Sequence, residues 1–205
     1  MPEPKSSTLD SISETLLIPL YYWAIETQRS DAMIKDENVV ELIKRLSSES
    51  PIRYNSDWFK QTPMAEMNKL LRIMLTRQMD RYARDFLVRH PDAVVVHIGC
   101  GLDSRFERAD NGLVEWYDLD LPDVTELRRK LIGAKGGRYH LLGCSVFEDA
   151  WLETVMVHRG RPFLFLAEGV FMYFEEAKVM SLVLRLRDHF LGAELVFDDW
   201  RPFQI

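Results

Sequence analysis

The chain has 205 residues, 47% of them hydrophobic and 28% charged, enough for one domain with a sizeable core plus a helical accessory region. Its formal net charge of -6 leaves no global basic footprint and argues against nucleic acid as the main partner. No apolar run approaches the roughly 20 residues of a membrane span. The polar start Met1–Asp10 lacks the apolar core of a signal peptide. Cys100 and Cys144 have no metal or redox spacing, so a cytoplasmic setting is expected.

Residues 1–90 read as a helical region. Ser11 and Glu14 make a capping box ahead of Leu16, Leu17, Leu20, Tyr21 and Ile25, which recur at helical spacing, and Pro19 predicts a break into two short helices. Asp36 is placed to cap a helix over Glu37–Leu46, which Ser47–Pro51 ends. Thr62 and Pro63 suit the N-cap and first position of a long helix reaching about Arg89. Along it Met64, Met67, Leu71, Met74, Gln78, Tyr82 and Phe86 follow at steps of three or four, a stripe expected to pack in the core.

From residue 91 to 205 strands alternate with helices. The strand candidates are Ala93–Ile98, Leu113–Asp118, Arg138–Cys144, Pro162–Ala167 and Glu194–Asp199. Helices are expected at Ser104–Ala109, Pro122–Ile132, Phe147–Val157 and Glu175–Leu191. Such alternation implies an α/β fold with a parallel sheet covered on both faces. Ligands of such sheets bind beyond the carboxyl ends of the strands, where the first strand runs into Gly99-Cys100-Gly101-Leu102-Asp103-Ser104.

Asp118 and Asp120 lie 17 and 19 residues past Gly101, the distance at which an acidic side chain accepts hydrogen bonds from ribose hydroxyls. Strand residues two apart share a face, so either aspartate can serve. Asp120 is favoured because it stands nearer the strand's exit. A dinucleotide calls for a third glycine, and Ser104 holds that place. A phosphate-free, sulfonium-bearing nucleoside, S-adenosylmethionine, suits short acidic residues at strand ends better. His97 and His140 read as core histidines, and His90, His158 and His189 as surface residues near helix ends. No histidine pair has metal-ligand spacing, so no catalytic metal is expected.

Four runs, Leu17–Thr27, Val96–Arg105, Trp116–Pro122 and Ala167–Tyr173, resemble the leucine carboxyl methyltransferase family. The likeness is to its bacterial branch, which includes the O-methyltransferases of tetracenomycin-type polyketide synthesis. It covers nearly the whole chain in order. The resemblance implies a Rossmann-like class I sheet of order 3-2-1-4-5 and S-adenosylmethionine-dependent O-methylation of a small-molecule acid or phenol, with S-adenosylhomocysteine as product. It places Gly99 against the cofactor's amino-acid tail, Arg77 on its carboxylate and Asp120 on the ribose, with Cys100, Gly101 and Asp118 also among the cofactor-binding candidates. Ser145 falls beside the adenine, Glu168 next to the methionine moiety and Tyr173 close to the transfer site. Glu168 and Tyr173 are the catalytic candidates.

Trp23 departs from the family, whose members often have arginine there. The chain also ends at Ile205, just after its fifth strand, whereas the family's sheet has two more. A nicotinamide-dependent oxidoreductase and a non-catalytic nucleoside- or protein-binding domain are the competing readings, and a homo-oligomer is compatible with the sequence.

Overall fold

A computed structural model describes residues 14–49, 62–133 and 136–198. Ser11, the Ser50-Pro51 stop and the end of the last strand candidate lie outside them. The described residues form two compact units: 14–49 and 62–77 with 102–104, and 78–101 with 105–133 and 136–198.

In the first unit α1 (Glu14–Thr27) packs on α2 (Glu37–Glu49). Pro19 does not split α1. Its missing N–H forfeits one helical bond, while the burial of Leu17, Leu20, Tyr22, Trp23 and Ala24 holds the helix in one piece. Trp23 is anchored where its indole N–H donates to Thr76 Oγ1 at 3.2 Å. Asp36 caps α2 as expected, accepting from the Val39 N–H at 3.2 Å, and Thr62 does the same for Ala65 at the start of α3 (Pro63–Arg89).

Of the stripe expected along α3, Phe86 alone is core. Met64, Met67 and Met74 are at least half exposed and Leu71 and Tyr82 are open too, while Ile73, Thr76, Met79, Ala83, Phe86 and Leu87 are buried. The buried face is displaced from the expected one by about one residue, roughly 100° of helix rotation.

The second unit holds a five-stranded parallel sheet of order β3-β2-β1-β4-β5. The strands are β1 (Val94–Ile98), β2 (Glu115–Asp120), β3 (Tyr139–Gly143), β4 (Phe163–Ala167) and β5 (Glu194–Phe197), with His97 of β1 opposite Asp118 of β2. The helices are α4 (Arg105–Ala109), α5 (Pro122–Ile132), α6 (Ala150–Val155) and α7 (Glu176–His189). One face of the sheet, through Val94, Val96, Tyr117, Leu119 and Phe165, buries Trp151, Leu152 and Val155 of α6 and Leu182 and Leu186 of α7. The other, through Val95, Trp116, Leu164 and Leu166, buries Ala83, Phe86 and Leu87 of α3 and Ala109 of α4.

β2 begins two residues later than expected, because the Asn111 carboxamide oxygen accepts from the N–H groups of Leu113 and Val114 and holds them in a turn. α6 likewise starts late. The Ser145 hydroxyl accepts from the Phe147 N–H, and the Glu148 carboxylate accepts from the Ser145 N–H, keeping the residues before it out of the helix.

Candidate functional site

The carboxyl ends of β1 to β4 bring together most of the residues singled out from the sequence. β1 leaves the sheet through Gly99 at φ 65° and Gly101 at φ 51°, conformations that disfavour any side chain. Gly99 is doubly constrained, since a Cβ there would lie 2.3 Å from Val170 Cγ2 in the loop after β4. That loop therefore lies against the glycine turn. Cys100, between the glycines, is buried.

At the end of β2, half-buried Asp120 accepts from the Gly101 N–H at 2.7 Å and from the Leu121 N–H at 2.8 Å. One carboxylate thus ties the end of β2 to the end of β1. Burial pushes its carboxyl above the ordinary range, against the lowering effect of those two N–H groups. At the end of β3, Ser145 is partly exposed. Tyr173 lies in the short 3-10 turn Phe171–Tyr173 and is 65% exposed. Arg77 is an exposed residue of α3, on the first unit.

Asp118, two residues before Asp120, has a different setting. It is fully buried, with the Arg128 guanidinium at 2.7 Å, Trp116 donating at 2.8 Å, Tyr139 donating at 2.6 Å and His97 Nδ1 at 3.4 Å. Desolvation, the largest single effect, raises its carboxyl, but the Arg128 charge, His97 and the Tyr139 hydroxyl together outweigh it and leave it below the usual carboxylate range. The same pairing raises Arg128 in spite of burial. Burial and the Asp118 charge together push the Tyr139 phenol up. Arg128 also donates to the Gly101 carbonyl at 3.2 Å, so this network supports the glycine turn from beneath.

Glu168 leaves the buried strand β4 with its side chain 15% exposed and accepts from Arg105 Nη2. The Arg105 Nε donates to Asp80 at 2.9 Å and its Nη1 lies 3.3 Å from His97 Nε2. A guanidinium only donates, so His97 Nε2 accepts and the ring proton sits on Nδ1, toward Asp118. His97 is a core residue, as expected, although its Nδ1, 3.4 Å from Asp118 Oδ1, makes no hydrogen bond. His158 is half-buried, its Nε2 2.8 Å from the Tyr117 hydroxyl, which differs from the expected surface placement.

Asp80, Arg105, Arg128 and Tyr139 were not among the candidates. An arginine carries no sequence mark of being buried. The available signal was position: Arg128 shares the inner face of α5 with Thr125 and Leu131, and Arg105 directly follows the glycine turn.

The residues fit S-adenosylmethionine in kind: a glycine turn at the end of β1, an acid at the end of β2 to accept from a ribose, and an acid at the end of β4 for an ammonium group. Residues 17–186 match the model of the leucine carboxyl methyltransferase family. The chain is 35% identical over 198 residues to the tetracenomycin polyketide synthesis O-methyltransferase TcmP of Streptomyces glaucescens, covering 96% of this chain and 69% of that protein. It is 31% identical over 206 residues to the S-adenosyl-L-methionine-dependent methyltransferase dpfgK of Gibberella zeae, covering 93% of this chain and 67% of that protein. It therefore spans about two thirds of the length of these curated relatives. Among solved structures it is similar to the mitomycin 7-O-methyltransferase MmcR, with 17% identity and a TM-score of 0.44, covering 100% of this chain and 58% of that one.

Proposed function

Because the chain belongs to the leucine carboxyl methyltransferase family and so is an S-adenosylmethionine-dependent methyltransferase, we propose that it methylates an oxygen, on a carboxylate or a phenolic hydroxyl, of a polyketide-like small molecule. The observation that carries this reading is the 35% identity to a polyketide O-methyltransferase along 96% of the chain.

When bound, S-adenosylmethionine supplies an electrophilic methyl group on a sulfonium centre. Asp120 accepts from the ribose hydroxyls, and the backbone of Gly99, Cys100 and Gly101 lies against the amino-acid tail. Ser145 stands beside the adenine, Glu168 faces the methionine moiety and Tyr173 borders the acceptor. Arg77 keeps the carboxylate-binding role that the family resemblance gives it. The protein's contribution is to hold acceptor and donor at attack distance away from water.

A carboxylate acceptor is favoured over a phenol. It is ionised near neutral pH without help, whereas a phenol needs a base, and His97 is enclosed between Arg105 and Asp118. Buried Cys100 and half-buried Cys144, neither of them in a disulfide, suit a reducing cytoplasm, and the negative net charge suits a small-molecule partner better than nucleic acid.

The test is transfer of a labelled methyl group from S-adenosylmethionine to a panel of aromatic acids and phenols, followed by alkaline hydrolysis. A base-labile methyl ester is expected. A base-stable ether would move the acceptor to a phenol. Tight cofactor binding with no transfer to any acceptor would favour a nucleoside-binding domain instead.

A further inference from the structure

The proposed chemistry uses Glu168 but leaves the charged group behind it unexplained. The Arg105 side chain is 0% exposed, so it does not reach a ligand in the crevice. Its planar fork points three ways, to Asp80 of α3, to His97 of β1 and to Glu168 at the exit of β4. A lysine, with one point of charge, cannot hold three elements in one plane. Asp80 is itself held from a second side, where Arg108 donates through Nε at 2.7 Å and Nη2 at 3.0 Å. Arg105 is thereby pinned before it meets Glu168. Within the set, Asp80 and Glu168 balance Arg105 and Arg108.

We propose that Arg105, braced by Asp80, is a positioning residue that aims the Glu168 carboxylate at the ammonium group of the amino-acid tail of S-adenosylmethionine. The inference rests on the reading of Glu168 as a cofactor contact. The brace has a second effect. An acidic acceptor approaching the methyl group meets a carboxylate whose charge is already matched from behind, which lessens the repulsion between acceptor and Glu168.

The test is titration calorimetry of the full chain and of Arg105→Lys, Arg105→Gln and Glu168→Gln with three probes: S-adenosylmethionine, S-adenosylhomocysteine and adenosine. Both Arg105 variants are expected to weaken the two tailed ligands about tenfold, as Glu168→Gln does, and to leave adenosine within about twofold. The double variant Arg105→Gln/Glu168→Gln is expected to bind no more weakly than the weaker single. Equal loss of all three probes means Arg105 supports the fold alone, and overturns the proposal. So does an Arg105 variant that binds the tailed ligands like wild type while Glu168→Gln does not.

Unchanged tailed-ligand binding by Glu168→Gln removes the Glu168 contact and this inference with it. Wild-type protein that binds none of the probes removes the methyltransferase reading itself. Should Arg105→Gln fail to fold, Arg105→Lys, which keeps the charge, carries the measurement. Should both fail, Asp80→Asn carries it, with a loss of about threefold expected for the tailed ligands and none for adenosine.

Discussion

Asp118 and Asp120 sit on one strand, two residues apart and on one face, yet they are opposites. The interior aspartate is sealed among Arg128, Trp116, Tyr139 and His97 and has its carboxyl lowered. The terminal one meets two backbone N–H groups and has its carboxyl raised. The same side chain is placed as structure or, under the proposed function, as recognition according to how many charged partners enclose it and how much solvent remains. Two residues, roughly 6.6 Å of strand, separate the roles.

Four experiments sharpen or break this contrast. The largest effect is expected for Asp118→Ala, which strands Arg128 in the interior and costs about 3–5 kcal/mol of stability, read by denaturant unfolding. A loss under 1 kcal/mol would make Asp118 no more structural than Asp120. Tyr139→Phe removes a single donor to the same carboxylate, for about 1.5–3 kcal/mol. Asp120→Ala is expected to weaken S-adenosylmethionine binding by about 1–3 kcal/mol by calorimetry in a protein that still unfolds cooperatively. Unchanged affinity in a folded variant would end its ribose role.

The smallest effect is the pH response, at most about 1.4 kcal/mol per pH unit for each proton taken up. The Asp118 carboxyl is lowered in the folded state. Its stabilisation is therefore complete above the unfolded value near 4 and is lost as pH falls through the lower folded value. The Asp120 carboxyl is raised, so its ionised form, the one proposed to accept from the ribose, is lost at a higher pH. On acidification, cofactor affinity is expected to decline before stability does. Coincident loss of the two would contradict the contrast.

The parallel sheet was legible because alternating β and α segments with right-handed crossovers leave few topologies, its order came with the family resemblance, and the residues at its rim were legible because Gly99 and Gly101 suit a tight turn and Asp120 stands at a strand's exit. Element edges were less legible where side chains intervene. Asn111 delays β2 and Ser145 delays α6 by bonds that no hydrophobic period records. Burial of charge was least legible. Arg77 and Arg105 look alike in sequence, but one is exposed on α3 and the other is fully enclosed, because only the folded chain brings Asp80 and Glu168 to Arg105. In α3, two apolar faces compete, and a spacing of three or four residues fits both.

The enclosed ion set also bears on how the chain finds its register. β1 and β4 are buried along their whole length, so a slip of one residue would exchange one apolar face for another at small cost in hydrophobic contact. It would not keep His97 opposite Asp118 or leave Arg105 in place for Glu168 at the exit of β4. The slipped pairing would carry unmatched charge in the interior, so the buried salt links supply the alignment that an apolar strand does not specify.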